Sequence, residues 1–394
     1  MKDPKTDDLV VGAGILGLAT AWHLHRKGRT VRVLERSSRI EGASIRNFGM
    51  IWPIGQEAGR PLSLALRSRQ LWLEMLTEVG LWHETEGSVH ALYHPLEEEL
   101  VREFLVQEAA QACQARWLSP EEARLRIPRL RPEGLRGALY SASEVCVDPR
   151  LTLRALQAWL EAEGVAFHWE SAALEVCCGR VRTGRTEFEA NEVWVCTGHD
   201  RSGPFAEALQ SSGIAPCKLQ MMRTAPLRSG ERLGPMLAAG LTLAHYRSFG
   251  ACASLPRLRE SLKVRHPGYA EEGIHVMVSQ TSDGALTIGD SHRYGEAIDP
   301  FSSEDVDNMI LAYLDGFLDR SGAPIATRWT GVYAKHPEKP WVVLHPEPCT
   351  HLVTGVGGAG MTLSFGLTEA VVSEVLGDLA TPPSAGLHSS FASG

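Results

Sequence analysis

The sequence has no excess of positive charge, no Cys-x-x-Cys pair and no long apolar run. A formal net charge of −8 over 394 residues provides no overall basic field, so we expect no nucleic-acid partner. The eight cysteines show no metal-like Cys/His spacing, which predicts reduced thiols, a cytoplasmic location and no metal site. The apolar stretch near the N-terminus follows no basic segment and is interrupted by glycines. It predicts neither a signal peptide nor a membrane span, and we expect no membrane partner.

The composition is that of a globular protein, with 44% hydrophobic and 22% charged residues. This is ample apolar material for two cores or for one large interleaved core. Residues 7–36 read as a short apolar strand, a glycine turn, an amphipathic helix ending at Gly28 and a second apolar strand. That order is a βαβ unit, which is typical of a nucleotide-binding α/β domain.

The glycines of V-G-A-G-I-L-G have separate predicted roles. Gly12 permits the tight turn, Gly14 lets the backbone approach a pyrophosphate, and Gly17 lets the helix pack on the strand. Glu35 ends the second strand, where its carboxylate can accept both hydroxyls of a ribose and disfavours a 2′-phosphate. A purely structural turn is the alternative. We predict a dinucleotide site that includes Gly12, Gly14, Ile15, Leu16, Gly17, Glu35 and Arg36.

A second loop favours FAD over NAD as the expected cofactor. Residues 42–55 form a Gly/Ser/Asn-rich segment directly after the predicted ribose-binding strand. A nicotinamide enzyme has no need of a loop there, whereas an extended flavin must be wrapped on several sides. An ordinary surface turn is the alternative. The expected FAD contacts, with Arg46 and Asn47 at the pyrophosphate, are Ser44, Arg46, Asn47, Phe48, Gly49 and Met50.

The remaining pattern predicts two domains built from interleaved segments. Residues 62–126 are mainly helical, Asp148 and a following proline begin another helix, and 217–325 are strand-rich around a helix at about 304–319. A strand at 192–198 ends in glycine, and a late strand leads into the glycine turn of 355–366. We predict an FAD-binding domain of 1–85, 140–215 and 322–380, a substrate domain of 86–139 and 216–321, and a flexible tail of 381–394.

Taken together, the motifs resemble the D-amino-acid oxidase, glycine oxidase and sarcosine oxidase family of flavoproteins. The resemblance covers nearly the whole chain. It implies an α/β fold in which a Rossmann-like FAD-binding domain of the glutathione-reductase-2 type is joined to an α+β substrate domain on an antiparallel sheet. The motifs that carry it include VVGAGILG with Glu35, GASIRNFGMIWP, EVWVCTGHDRS, DGALTIGDSH, RWTGVY and LVTGVGGAGMTLSFG.

The resemblance also implies contacts with FAD from distant parts of the chain. One segment would pass the adenine, a second would return under the flavin, and the last glycine turn would lie along the pyrimidine edge of the ring. There the N–H groups of a helix N-terminus stabilise developing negative charge. No cysteine stands near Trp-x-Gly to bind flavin covalently, so a non-covalent cofactor is expected. In chain order these positions are Ala173, Leu174, Cys196, Thr197, Gly198, Gly331, Gly357, Gly358, Ala359, Gly360, Met361 and Thr362.

The implied reaction is removal of a hydride from the carbon that bears a neutral amine, hydrolysis of the imine, and reoxidation of FAD by O2 to release hydrogen peroxide. We expect Met50, Tyr333 and Met361 around the reacting atoms. Tyr333 replaces the usual carboxylate-binding arginine, and Thr362 replaces a lysine of sarcosine-type members. Thr287 replaces an oxygen-assisting lysine, which leaves open a dehydrogenase with another acceptor.

Segments such as RNFGMIWPIGQ and IGDSHRYGEAIDPF resemble most closely a subfamily that oxidises 2-aminoethylphosphonate or its N-methyl derivative. We therefore expect a small anionic amine as substrate. A tetrahedral anion needs donors spread in three dimensions, and the expected set is Arg223, His245, Tyr246, Arg247, Tyr333, Lys335 and His336. Asp290 and His292 are expected to organise their own loop. The alternatives are a glycine-, sarcosine- or D-amino-acid-type oxidase, and a non-catalytic flavoprotein with structural or sensory FAD.

Overall fold

The computed structural model describes residues 5–377. Within this range the helices are α1 (Ile15–Arg26), α2 (Arg60–Val79), α3 (Pro95–Leu105), α4 (Glu108–Ala112), α5 (Pro120–Arg126), α6 (Pro149–Ala162), α7 (Ala206–Ser211), α8 (Gly240–His245), α9 (Leu255–Arg265), α10 (Glu304–Asp315) and α11 (Gly360–Val375). No helix among these residues combines the length and the hydropathy that a membrane span requires.

The strands belong to two large sheets and one small one. The first large sheet contains β1 (Thr6–Val11), β2 (Val31–Leu34), β9 (Ala166–His168), β10 (Glu175–Cys177), β11 (Arg180–Arg182), β12 (Glu187–Val195), β19 (Val342–Glu347) and β20 (Thr350–Thr354). The second contains β5 (Ser88–Leu92), β6 (Arg116–Leu118), β7 (Gly137–Ser141), β13 (Ala215–Pro226), β14 (Met236–Ala239), β15 (Met277–Gln280), β16 (Ala285–Gly289), β17 (Arg293–Tyr294) and β18 (Ile325–Lys335). The small sheet contains β3 (Met50–Ile51), β4 (His83–Glu84) and β8 (Val145–Val147).

The first sheet has a parallel centre. β1 pairs in parallel with both β2 and β12, β2 with β9, and β12 with β20. The strands β10, β11 and β19 add to this centre in antiparallel fashion. Helix α11 packs on both α1 and α2, and α1 lies against β1, β2 and β12 of this sheet. This architecture confirms the predicted Rossmann-like domain.

The second sheet is antiparallel except for the pair β5–β14, as predicted for the substrate domain. Its longest pairing joins β13 to β18, from Ala215 opposite Lys335 to Thr224 opposite Ile325. The predicted boundaries assign 322–380 to the FAD-binding domain, but β18 belongs to the second sheet, so the last segment joins the first sheet only after residue 335. The predicted tail, 381–394, lies outside the described residues.

The ends of two predicted helices have clear local causes. Asp148 caps α6 as expected, because its Oδ1 accepts hydrogen bonds from the Arg150 and Leu151 backbone N–H groups. The helix expected at 304–319 ends earlier, at Asp315. The N–H groups of Gly316 and Phe317 bind the carbonyls of Tyr313 and Leu314, three residues earlier in each case, so the last turn tightens where α10 ends.

The contact between α2 and α11 depends on a close approach of two backbones. Gly366 lies inside α11, and a Cβ atom there would be 2.3 Å from the carbonyl oxygen of Leu64 in α2. The next nearest atom, the Ser68 backbone nitrogen, would be 3.0 Å away. Neither atom can rotate aside as the end of a side chain can, so any side chain at 366 would push the helices apart.

We predict that Gly366→Ala lowers the free energy of unfolding by about 1–3 kcal/mol, the range of overpacking changes. Gly184→Ala is the matched control, because a Cβ atom at Gly184 meets no atom within 4 Å. Urea unfolding of both variants measures the difference. Equal stability of the two would show that the backbones do not meet as described.

Candidate cofactor and substrate site

One elongated cavity of about 830 Å³ runs between the two large sheets and is lined by both. One end is bordered by the turn after β1 and the residues after β2. The cavity continues past the turn before α11 and reaches a polar wall formed by the second sheet. A space of this size can enclose a dinucleotide in part and a small substrate beside it.

The turn between β1 and α1 is shaped to admit a ligand. Gly12 has a φ of +104°, and a Cβ atom there would be 2.5 Å from the Cys196 carbonyl oxygen. Gly14, Ile15 and Leu16 line the cavity at the beginning of α1. Gly17 does not line it. Its missing side chain serves helix packing instead, because a Cβ atom at this position would be 1.8 Å from the Gly12 carbonyl oxygen.

The Glu35 carboxylate is held at the end of β2 by two backbone donors. Ala13 N–H donates to Oε2 at 2.9 Å, and Ser37 N–H donates to Oε1 at 2.9 Å. Each carboxylate oxygen keeps a further lone pair, and the residue lines the cavity. This is the arrangement that two ribose hydroxyls require. Arg36 also lines the cavity, with its guanidinium bound to Asp200.

The loop after β2 lines the cavity, and both Arg46 and Asn47 are part of this lining, although their side chains also bind protein atoms. The Asn47 amide donates to the carbonyls of Ala43 and Ser44 and accepts from Gly49 N–H, so its side chain stabilises the loop itself. Arg46 is exposed and donates to the Thr330 carbonyl at 3.3 Å.

Other residues of this loop line the cavity as well. Ser44, Phe48 and Met50 line it, and the Ser44 hydroxyl accepts a hydrogen bond from Ile15 N–H at 2.9 Å. Gly49 does not line it. A Cβ atom there would be 1.9 Å from the Val147 carbonyl oxygen, so this glycine permits contact with β8.

The turn before α11 is fixed by two hydrogen bonds from the N-terminal half of the chain. The Met361 carbonyl accepts from Trp72 Nε1–H at 2.7 Å, and the Thr362 hydroxyl accepts from Trp52 N–H at 2.9 Å. The N-terminus of α11 thereby faces the cavity, where a helix offers unpaired N–H groups and partial positive charge. The lining includes Gly357, Gly358, Ala359, Gly360, Met361 and Thr362.

Three further segments line the same space. Ala173 and Leu174 follow β9 and lie at the ribose end, beside the residues after β2. Cys196, Thr197 and Gly198 follow β12. Gly331 is outside the lining, and a Cβ atom there would be 3.0 Å from Leu219 Cδ1.

The family model described as FAD dependent oxidoreductase, DAO, matches residues 7–373. The chain belongs to this family. The cavity fits its cofactor, because the glycine cradle, the paired Glu35 oxygens and the α11 N-terminus lie along one continuous space. FAD is therefore the cofactor, as predicted.

Other comparisons place the fold in the same group. One of the subunits of opine oxidase from Rhizobium meliloti is 24% identical over 348 residues, which cover 84% of this chain and 82% of the relative. The solved L-proline dehydrogenase of P. horikoshii superposes with a TM-score of 0.77 at 18% identity, covering 97% and 96% of the two chains. Glycine oxidase from Geobacillus kaustophilus gives a TM-score of 0.75 at 19% identity and covers 96% of each chain.

The structure brings most of the expected substrate-binding residues to the far end of the cavity but not Arg223. His245, Tyr246, Arg247, Tyr333, Lys335 and His336 all line it. Arg223 is outside the lining, where its guanidinium donates to the Thr281 hydroxyl and the Asp283 carboxylate, each at 2.6 Å. Thr287, opposite Arg223 in the sheet, is buried outside the cavity as well.

Two of these lining residues already have backbone partners. The Arg247 guanidinium donates to the Pro337 and Glu338 carbonyls, and His336 Nδ1 accepts from the backbone of Glu338 and Lys339. Lys335 is bound more loosely, since Nζ donates to the Tyr294 hydroxyl at 3.1 Å. Burial lowers the pKa of Lys335 and strongly raises the pKa of Tyr333.

Several lining residues were absent from the predicted set. Asp290 and His292 line the cavity, and His292 Nδ1 lies 2.9 Å from the carbonyl of Gly273, which belongs to a different segment from the loop that His292 was expected to organise. His275 and Met277 line it as well. Their spacing in G-I-H-V-M-V places both on one face of an extended segment, a signal that could have identified them together.

We predict that Glu35→Ala weakens FAD binding about tenfold or more, since hydrogen bonds to a charged group contribute about 1.5–3 kcal/mol. Titration of the apoprotein with FAD, followed by flavin fluorescence, measures the Kd. Glu187→Ala, in the exposed beginning of β12, is the control. An unchanged Kd for Glu35→Ala would remove this carboxylate from the cofactor site.

Proposed function

We propose that the protein is an FAD-dependent oxidoreductase that oxidises a small anionic amine. One observation carries this proposal: the cavity does not end at the cofactor loops but continues to a polar wall with Lys335, Tyr333 and Asp290. Structural or sensory FAD needs no such chamber. The activities after which the similar proteins are named, opine oxidase, L-proline dehydrogenase and glycine oxidase, support an amine or amino acid as the substrate class.

The residues of the wall would orient the amine and exclude water. Lys335 is the proposed anchor of the anionic end, because its side chain is half-buried and its ammonium has a neutral hydroxyl as its partner. The Tyr333 hydroxyl lies near the turn before α11: a Cβ atom at Gly358 would be 3.6 Å from it. Met50 and Met361 provide buried apolar surface, so the reacting carbon would be held out of water. Bound FAD supplies the two-electron acceptor in this chemistry.

Our proposed substrate is 2-aminoethylphosphonate or its N-methyl derivative, with O2 as electron acceptor and the cytoplasm as compartment. The lack of an arginine at Tyr333 supports a different anion site from that of amino-acid oxidases. A glycine- or sarcosine-type activity is the second candidate, and the likeness to glycine oxidase favours it. A dehydrogenase using another acceptor is distinguished by flavin bleaching without peroxide release.

We expect 2-aminoethylphosphonate or its N-methyl form to bleach the bound flavin under anaerobic conditions faster than glycine, sarcosine or D-alanine. Stopped-flow absorbance of the flavin band gives the rates, and a peroxide assay in air identifies O2 as acceptor. Preference for glycine or sarcosine would refute the phosphonate assignment. Bleaching by no primary or secondary amine would favour the non-catalytic alternative.

Removal of the Lys335 charge should separate anion binding from catalysis. Lys335→Met should raise KM for the anionic amine about tenfold or more, the size of a lost charged hydrogen bond, with a smaller effect on kcat. For propylamine, which has no anionic group, KM should change little. Lys263→Met, on the exposed face of α9, is the control. Equal effects on both amines would exclude Lys335 as the anion anchor.

A further inference from the structure

A buried cluster of three histidines and one aspartate forms part of the polar wall. His245 ends α8, His275 precedes β15, and Asp290 and His292 follow β16. The ring centres of His245 and His275 are 3.8 Å apart, and those of His275 and His292 are 5.0 Å apart. Asp290 Oδ1 lies 3.3 Å from His275 Nε2, and Oδ2 lies 3.7 Å from His292 Nε2. All four residues line the cavity.

The cluster contains polar atoms without a partner. Asp290 Oδ1 and His275 Nδ1 are buried and have no hydrogen-bond partner among the described residues. His292 uses Nδ1 to donate to the Gly273 carbonyl, so Nε2 of its neutral ring can only accept. Burial of unpaired polar groups is costly. The cluster therefore has the character of a site that is completed by a ligand.

A ring nitrogen from each of the three histidines lies within 4.8 Å of the others, but the stacking of His245 on His275 does not suit a metal ion bound by all three. With Zn–N distances of about 2.1 Å, two imidazoles on one tetrahedral zinc have ring centres roughly 5 Å apart. The 3.8 Å between His245 and His275 is a face-to-face contact with an interplanar angle of 30°. Lone pairs in the ring planes of such a stack point past each other. The geometry favours a ligand that exchanges a proton over a metal.

Burial penalises the charged form of every member of the cluster, so an ionised Asp290 carboxylate is a strong base and the three histidine rings are weak ones. It raises the pKa of Asp290 well above its usual value, and it lowers the pKa of His275, with further lowering by His292 and Lys335. It also lowers the pKa of His292 to about 4. The groups that face the cluster from neighbouring elements are Cys217, Tyr246, Arg247, Arg259, Tyr294, Tyr333 and Lys335.

We propose that Asp290 accepts the proton of the substrate's ammonium group; this inference rests on the proposed amine substrate. One N–H bond of the ammonium breaks, its electron pair stays on nitrogen, and an O–H bond forms at Asp290 Oδ1. A neutral amine and a neutral acid replace two charges, which is favourable because a buried ion pair is costly to desolvate. The neutral amine then has the lone pair that oxidation of the adjacent carbon requires.

The histidines are positioning residues in this account. His275 and His292 flank the two oxygens of Asp290, and His245 is stacked over His275 on the cavity side. Because burial lowers the pKa of all three rings, they do not compete with the carboxylate for the proton. Their rings enclose the carboxylate and limit its contact with water.

The pH dependence of flavin reduction tests the proposal. In Asp290→Asn only amine that is already neutral in solution can react, so below the amine's own pKa the rate should fall tenfold for each lower pH unit. At pH 7 the loss relative to the unsubstituted protein should be about 100-fold or more, the contribution of a general base, and it should shrink toward high pH. Asp290→Glu keeps a carboxyl group, so it should restore the weaker pH dependence of the unsubstituted protein even if the absolute rate is lower.

Asp283→Asn is the matched control, because that aspartate is half-exposed and pairs with Arg223 outside the cavity. It should retain the profile of the unsubstituted protein. If Asp290→Asn also retains that profile while amines still bleach the flavin, the proton-acceptor role is wrong and the proposed function stands. If no amine bleaches the flavin of the unsubstituted protein, the proposed function itself fails.

Proton counting gives a second measurement that needs no turnover. The probe is (2-amino-2-methylpropyl)phosphonate, which has no hydrogen on the carbon bearing the amine, or 2-aminoisobutyrate if amino acids are preferred. Calorimetry in two buffers of different ionisation enthalpy should show no proton release on binding to the unsubstituted protein and about one released per amine bound to Asp290→Asn. Equal proton release by the unsubstituted protein and by Asp290→Asn would overturn the proposal. So would a stoichiometric metal ion in the purified protein that is lost in His275→Asn.

Discussion

The parallel pairing of β20, β12, β1 and β2 is the constraint on which the site depends. Parallel neighbours end at the same edge of a sheet, and this edge is where α/β proteins bind nucleotides. Here the strands come from the beginning, the middle and the end of the chain. Their following turns, at Gly12, Glu35, Cys196 and Gly357, are therefore brought together although they lie far apart in sequence.

The two halves of the cavity are built for different kinds of interaction. At the nucleotide end, backbone N–H groups and a single carboxylate do the binding, and glycines allow the chain to come close. At the substrate end the wall consists of side chains whose charged forms are destabilised by burial, notably Asp290 and His275. The first half suits an anionic cofactor that remains bound, and the second suits a small molecule whose charge changes during a reaction.

The sequence predicted the nucleotide half well because its signals are local. The turn at Gly12, the acid at Glu35 and the Asp148 cap each depend on residues close in the chain, and all three are observed. The partner of β18 could not be predicted in this way, since strand pairing over a hundred residues leaves no local pattern. Arg223 illustrates the same limit: its chemistry suits an anion, but a bulged strand directs it to Asp283. His275 was not included in the predicted site, although its spacing of two residues from Met277 indicated that both side chains share one face of an extended segment.

The position of β20 near the end of the chain has a consequence for synthesis. This strand pairs with β12, and the turn that follows it completes the cavity. Every strand of the antiparallel sheet is therefore synthesised before the cofactor groove can close. The exposed edge of β12 must remain unpaired during that interval, which makes it the surface where a chaperone would act and where premature association between nascent chains would begin.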